Sequence, residues 1–393
     1  MSRRLSILAF AALVLIAFPV RGRAADEEEP MYKGKKLSEW VRILREDKDP
    51  KHRRAALIVV EKFGPKERLV VAGVAGALKK DTDEHVRVKA AQMLGRMIPP
   101  AAQAEIDVRD AIDTLTDALR ADKKDKVREA CATALGVIGA AARAKPPAPI
   151  PPASIQSMVA PLAAALKHKH AGTAAAAAES LGLLGEAARG AAPVLLETLK
   201  DKKADRFARA FAAIALVRIG GSEAGEAVPA LTETLADDKA PLGVREASAR
   251  LLGQLGKDAV SAVPTLGKAL AAKEIEIRRG AASALAQIGA GAKDALPDLE
   301  KAVKDKDKTV RVNAIFAIGT MGKDAAHAVA VLVPCLKENQ IEVRLAAIRA
   351  LGNIGPDAKD AVKLLLDASR ESQADIRDAA KEALEKIQNK EKP

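Results

Sequence analysis

The sequence predicts an all-α fold, a right-handed superhelix of about ten stacked helical hairpins. Three observations carry this. An arginine recurs at Arg53, Arg87, Arg128, Arg209, Arg245, Arg278, Arg311, Arg344 and Arg377, and the last five stand 33 residues apart. Glycines often follow eight and eleven positions later, as Gly136 and Gly139, Gly253 and Gly256, Gly319 and Gly322, Gly352 and Gly355. A proline opens the unit at Pro193, Pro229, Pro264 and Pro297. Such a period marks a stack of similar units, none able to bury its apolar face alone. A stack of this kind is more often a binding surface than an enzyme.

At the N-terminus, Arg3 and Arg4 precede an apolar run from Leu5 to Val20, and Gly22-Arg23-Ala24 offers small residues for a signal peptidase. The run falls short of the ~20 residues a spanning helix needs. Residues 1–24 are therefore expected to be a cleaved export signal, with an uncleaved anchor as the alternative. No cysteine stands nearby to carry a lipid. A periplasmic or extracellular location follows, with no stable membrane insertion once the signal is gone. Residues 25–36 are expected to be a flexible segment. Repeats are expected over 37–144 and 153–388, a proline-rich insertion over 145–152, and a tail over 389–393.

One unit runs from Asp294 to Gly322. Leu296, Leu299 and Val303 fall on one helical face, with Pro297 in the first turn, where a missing N–H costs nothing. Asp305-Lys306-Asp307 forms a polar turn. A second helix presents Val310, Ala314, Ile315 and Ile318, and Gly319 and Gly322 end it. One glycine permits close approach and the other fits a left-handed cap. Trp40, the one tryptophan, is expected to cover the N-terminal end, and Glu385 and Gln388 replace the glycines to give a polar C-terminal end.

The recurring arginine starts the second helix, with an acid six positions earlier at Asp47, Asp81, Asp122, Asp305, Glu338 and Glu371. Asp201 and Asp237 keep their place eight after the proline, where two residues have been inserted before Arg209 and Arg245. Asp47, Arg53, Asp81, Arg87, Asp122, Arg128, Asp305, Arg311, Glu338, Arg344, Glu371 and Arg377 are read as a structural ladder of charges bonding within and between units. At the unit around Ala174, the arginine is missing and His168 replaces the acid, as if partners had been lost together. With Lys145 to Pro152 just before it, an extended polyproline-like stretch, this marks a seam between an N-terminal stack and a longer C-terminal one. Pro99 to Ala104 reads as a smaller insertion.

The proline, the turn acid, the Val-Arg pairs at Arg245, Arg311 and Arg344, and the Ala-Leu-Gly-x-Ile-Gly ending from Ala350 to Gly355 resemble HEAT repeats. More narrowly, they resemble phycobilisome-lyase-type HEAT-like repeats, over roughly residues 37 to 388. The resemblance implies scaffolds, adaptors and a few enzymes. Its di-iron hydroxylase type uses His-Glu dipeptides, which this chain lacks, Glu84-His85 being the reverse. The bilin-lyase type offers no catalytic residue to transfer.

The net charge is +12, and removing residues 1–24 takes away four arginines and no acid. The rest is interleaved, as in Asp122-Lys123-Lys124-Asp125-Lys126, rather than gathered into the single-sign patch a nucleic-acid binder needs. With aromatics at 2%, there are few rings to stack on bases or sugars. No nucleic-acid partner is expected. Cys131 and Cys335 stand too far apart along the stack to bridge, since a disulfide needs Cα atoms within ~7 Å. The histidines are His52, His85, His168, His170 and His327. Only His168 and His170 form a weak chelating pair, short of the three or four ligands a zinc site requires. No cofactor, metal site or catalytic residue is expected.

What remains is the second-helix stripe at one, five and nine positions after the arginine. It reads Ala210, Ile214, Arg218; Glu246, Arg250, Gln254; Arg279, Ser283, Gln287; Val312, Phe316, Thr320; Leu345, Arg349, Asn353. Arg218, Arg250, Arg279 and Arg349 around Phe316 suit an acidic, partly apolar protein partner. Two functions compete: an exported, monomeric, non-catalytic scaffold, or an enzyme or lyase-like subunit, possessing bilin-lyase-like or metal-dependent chemistry, that binds its substrate in the same groove.

Overall fold

The computed structural model describes residues 29–388; the segment expected to be an export signal, residues 1–24, and the expected tail, 389–393, lie outside the described residues. Ten helical hairpins follow one another: α1 (Leu37–Glu46) with α2 (Pro50–Lys62), α3 (Arg68–Lys80) with α4 (Glu84–Gln103), α5 (Arg109–Ala121) with α6 (Asp125–Ala142), and α7 (Pro152–Ala165) with α8 (Ala171–Leu184). Then come α9 (Ala192–Lys200) with α10 (Arg206–Ile219), α11 (Val228–Ala236) with α12 (Leu242–Leu255), and α13 (Val263–Ala269) with α14 (Ile275–Ile288). The stack ends with α15 (Leu296–Ala302) and α16 (Lys308–Thr320), α17 (Val329–Leu332) and α18 (Ile341–Ile354), and α19 (Val362–Ala368) and α20 (Ala374–Gln388). One apolar core runs the length of this all-α solenoid.

The glycine pattern does two jobs. At the eleventh position, Gly322 (φ 56°) and Gly355 (φ 79°) leave the second helix in a left-handed conformation that other residues resist. Each opens a 3₁₀ turn, Gly322–Ala328 and Gly355–Ala361, whose alanines Ala325, Ala328, Ala358 and Ala361 are fully buried. At the eighth position the glycine meets the next hairpin. A Cβ on Gly319 would stand 2.9 Å from Ala350 Cα, and one on Gly352 would stand 2.8 Å from Ala383 Cα. Gly95, Gly136, Gly182 and Gly253 likewise touch Ala134, Ser180, Ala215 and Ala284.

This spacing decides how tightly the second helices pack. From α4 onward they lie closer to one another than the first helices do, with one exception. Between α10 and α12 the contact is thin, and α10 carries Val217 where the glycine belongs. The second helices therefore form the more tightly packed layer of the stack.

Several elements differ from the sequence reading. Residues 145–152 do not form a seam: α6 and α8 pack across them as closely as any pair, and the buried Ser180 Oγ donates to Ala132 O at 2.8 Å. The stretch is itself anchored, with Ala148 and Ile150 buried and the Ala148 N–H donating to Ala141 O. Pro99 and Pro100 do not begin an insertion; they lie inside α4, which continues to Gln103 and buries Ala101 and Ala102. Gly139 lies within α6, where Leu184 occupies the space its Cβ would need. At the N-terminus, Met31–Tyr32 and Lys35–Lys36 pair as antiparallel strands β1 and β2, in a stretch expected to be flexible. Trp40 donates from Nε1 to Tyr32 O at 3.0 Å, and Tyr32 meets Phe63 edge-on, closing that end.

Candidate functional site

Of the bonding expected within and between units, the charges themselves meet between hairpins, the arginine taking the acid of the next one. Arg53 grips Asp81 of the next hairpin, Nη2 to Oδ1 at 2.7 Å and Nε to Oδ2 at 2.8 Å. Arg87 grips Asp122 in the same bidentate way at 2.7 and 3.0 Å, and Arg278 grips Asp305 at 2.8 and 3.3 Å. Arg344 reaches Glu371. Within its own hairpin each guanidinium takes a backbone carbonyl: Arg53 donates to Asp47 O, Arg87 to Asp81 O, and Arg311 to Asp305 O. The acid folds its own turn, as when Asp305 Oδ1 accepts the Asp307 N–H. Hydrogen bonding to Asp81 holds the Arg53 guanidinium above its ordinary value against the cost of burial. Burial pushes the Asp122 carboxyl up, but Arg87 and the Lys124 N–H outweigh it and hold it below its ordinary range.

Ala174 and His168 are therefore not lost partners. The missing arginine would have met Asp201, which is exposed and whose carboxylate accepts the Lys203 N–H. His168 stands where Arg128 needs its acceptor. Arg128 turns instead to Asp125 of its own hairpin, and its buried Nε has no acceptor. The Nε atoms of Arg209 and Arg311 are also unanswered. Asp237 is taken by Arg206 at 3.0 Å, leaving Arg209 with Glu233 at 3.6 Å. Arg311 reaches Gln340 but only approaches Glu338, at 3.9 Å. The ladder's open ends differ: Asp47 pairs with His52, and Arg377 with its neighbour Asp378.

His168 and His170 copy the two aspartates of the other turns. His168 Nδ1 accepts the His170 N–H at 3.1 Å, and His170 Nδ1 accepts the Thr173 N–H at 3.2 Å, capping α8. Both chelating Nδ1 atoms are thus engaged by the backbone. Asp125 and Glu129 of α6 each approach to 3.9 Å, a neighbourhood the sequence did not reveal. Among the described residues no group of three or more His, Cys, Asp or Glu is placed to hold a metal ion. Cys131 and Cys335 are free, buried thiols, and burial pushes Cys335 up to about 11.

The predicted stripe divides. On α10 it is enclosed: Ala210 and Ile214 are buried and Arg218 is half-buried, without a hydrogen bond or ion pair among the described residues. Burial, then the charge of Arg250, lowers the Arg218 value. The helix reads Phe-Ala-Arg-Ala-Phe-Ala-Ala-Ile-Ala-Leu-Val from Phe207, apolar on every side, which is the mark of a buried helix. Arg279 is exposed but already spoken for, gripping Asp307 at 2.9 and 2.6 Å. Arg250 and Arg349 are exposed and make neither hydrogen bond nor ion pair among the described residues. Phe316 is 57% exposed, the most exposed large apolar side chain of the described second helices. It lines a groove of about 570 Å³ between α16 and α18 with Val312, Leu345, Ala346 and Arg349.

Comparison with known proteins agrees with this architecture. The family model for HEAT repeats matches residues 37–136, 159–243, 242–309 and 296–385. No curated protein matches the chain. Among solved structures, an engineered protein is similar with a TM-score of 0.63 at 24% identity, covering 89% of this chain and 98% of its own. Computationally designed armadillo repeat proteins for modular peptide recognition are similar at a TM-score of 0.41 and 21% identity, over 50% of this chain and 99% of theirs, too loosely to bear on this one. The match is to HEAT repeats in general and does not single out the phycobilisome-lyase type. With hairpins, arginine ladder and terminal glycines repeating across nearly all the described residues, this chain belongs to the HEAT-repeat family.

Proposed function

We propose that this protein is a non-catalytic interaction scaffold, exported through residues 1–24, that holds a protein partner on its concave second-helix face. The observation that carries this reading is Phe316, 57% exposed beside the half-buried Val312 and Leu345. Phe316 is the most exposed large apolar side chain of a layer in which Ile58, Val137, Leu242 and Ile341 are exposed to a lesser degree. Contiguous exposed apolar surface rimmed by polar groups is characteristic of protein-binding sites. The enzyme alternative finds little support, since the best-formed ladder pairs are closed within the stack and the two histidines are engaged in a turn.

The test compares capture from the cell envelope by the mature chain and by its Phe316→Ser variant at matched thermal stability. Loss of one partner in the variant supports the reading, and equal recovery of every partner rejects it. Export is tested separately by mass spectrometry of the native chain. A mature N-terminus near Ala25 is expected, whereas a chain that keeps Met1 and needs detergent for extraction favours the anchor. Among the described residues no helix is long and apolar enough to cross a membrane.

A further inference from the structure

Resting on the scaffold reading, we propose that the groove between α16 and α18 takes an internal acidic segment of the partner. One large apolar side chain of that segment packs against Phe316, and an adjacent carboxylate is held by Arg349.

The cavity supplies the apolar half. Its about 570 Å³ is open to solvent and walled by Val312, Phe316, Leu345 and Ala346. Its floor is set by Gly319, which lets α18 approach at Ala350. That space suits one leucine- or phenylalanine-sized side chain with its backbone, and Phe316 offers a ring edge and face for it.

The charges supply the other half. At one rim Lys308 pairs with Glu342 at 2.6 Å; at the other Lys386 pairs with Glu382 at 2.7 Å and donates to Asn353 at 3.3 Å. Arg349 stands between them on the ridge and is bonded to neither, although Glu382 feels its charge. The lining is therefore left with one unanswered positive charge, carried by a planar fork that fits a carboxylate through two parallel hydrogen bonds.

The direction of the groove selects a segment that passes through. Beyond Arg349 a second cavity of about 230 Å³ opens between α18 and α20, lined by Gly352, Asn353, Ala379, Ala383 and Lys386. Arg349 lines both cavities, so a chain held there continues on either side of it. A terminal carboxylate would leave one of them empty.

The experiment uses the full mature chain and three short labelled peptides read by fluorescence anisotropy. One alternates leucine with aspartate, one leucine with lysine, and one alanine with aspartate. The leucine–aspartate peptide is expected to bind and the other two to bind weakly or not at all. Arg349→Glu and Phe316→Ala should each weaken it at least ~10-fold. Arg250→Glu, outside both cavities, should change it less than ~3-fold. Circular dichroism melts confirm that each variant is folded. Equal binding of the aspartate and lysine peptides, no binding of the leucine–aspartate peptide, or binding indifferent to Arg349→Glu overturns the proposal. A cellular partner lost on Phe316→Ser but paired with a silent acidic peptide would retain the scaffold and reject this partner chemistry.

Discussion

Asp305 accepts Arg278 of the preceding hairpin, Nε to Oδ2 at 2.8 Å, and offers Arg311 of its own hairpin only its backbone carbonyl. Where the ladder is complete, each of its residues therefore has two duties. The acid shapes its own turn and ties the hairpin behind it. The arginine closes its own turn and ties the hairpin ahead. A contact that serves both the unit and the interface makes neighbouring hairpins fold as one, because neither can order the turn fully alone.

Arg278→Ala should leave the Asp305 carboxylate without its guanidinium at a largely buried site. A loss of about 1–3 kcal/mol is expected. Arg128→Ala should cost clearly less, because Arg128 has no acid from the next hairpin to release. Urea unfolding of both variants beside the wild type measures this, and equal losses would show that the bridge between hairpins contributes nothing special.

Gly319→Ala and Gly352→Ala press a methyl against the backbone of the next helix. Each should destabilise the stack on the order of 1–3 kcal/mol. Gly76→Ala in α3 has nothing within 4 Å of its Cβ and should stabilise by about 0.5–1 kcal/mol. Thermal melts of the three proteins decide whether close approach, rather than helix propensity, governs these positions.

The junction after α10 should open before the others. The contact between α10 and α12 is thin, and Gly220 and Gly221 both take positive φ, 74° and 109°. Few tertiary contacts across a connection mean a low local opening free energy. Hydrogen exchange should find the amides of 221–226 exchanging ahead of those of 256–262 and 322–328. Uniform exchange across the connectors would rule this out.

Acid should loosen the His168–His170 turn. Both Nδ1 atoms act as acceptors and must stay unprotonated. Asp125, Arg128 and Glu129 of α6 face the turn, together with Lys169 within it. Burial first, then the charge of Arg128, sets His168 below its ordinary 6.5, although Asp125 pulls the other way. A depressed value means the contribution is complete above 6.5 and fades as pH falls through the folded value. Replacing both residues (His168→Asp with His170→Asp) restores the aspartate turn and gives Arg128 its acceptor. Between about pH 7 and pH 5 the wild type should lose more thermal stability than this double variant; parallel curves would clear the histidines of any such role.

The sequence by itself determined the repeat, the hairpin, and the separate roles of Gly319 and Gly322. These follow from local rules: apolar residues three and four apart make one helical face, and only glycine tolerates a left-handed cap or a backbone pressed against it. It also placed arginine and acid at the right points of each turn. Tertiary structure decided which of them met, because the spacing between stacked hairpins brings Asp305 under Arg278 and takes its carboxylate away from Arg311. It enclosed Ala210 and Ile214 and half-buried Arg218, because neighbouring helices pack around α10, whose all-round apolar sequence suits that burial. It bound Arg279 to Asp307 and left Arg349 unanswered beside Phe316. Arg279 and Arg349 both read in sequence as free arginines of one stripe; they differ because Arg279 meets an acid from the next turn within reach of its guanidinium and Arg349 does not.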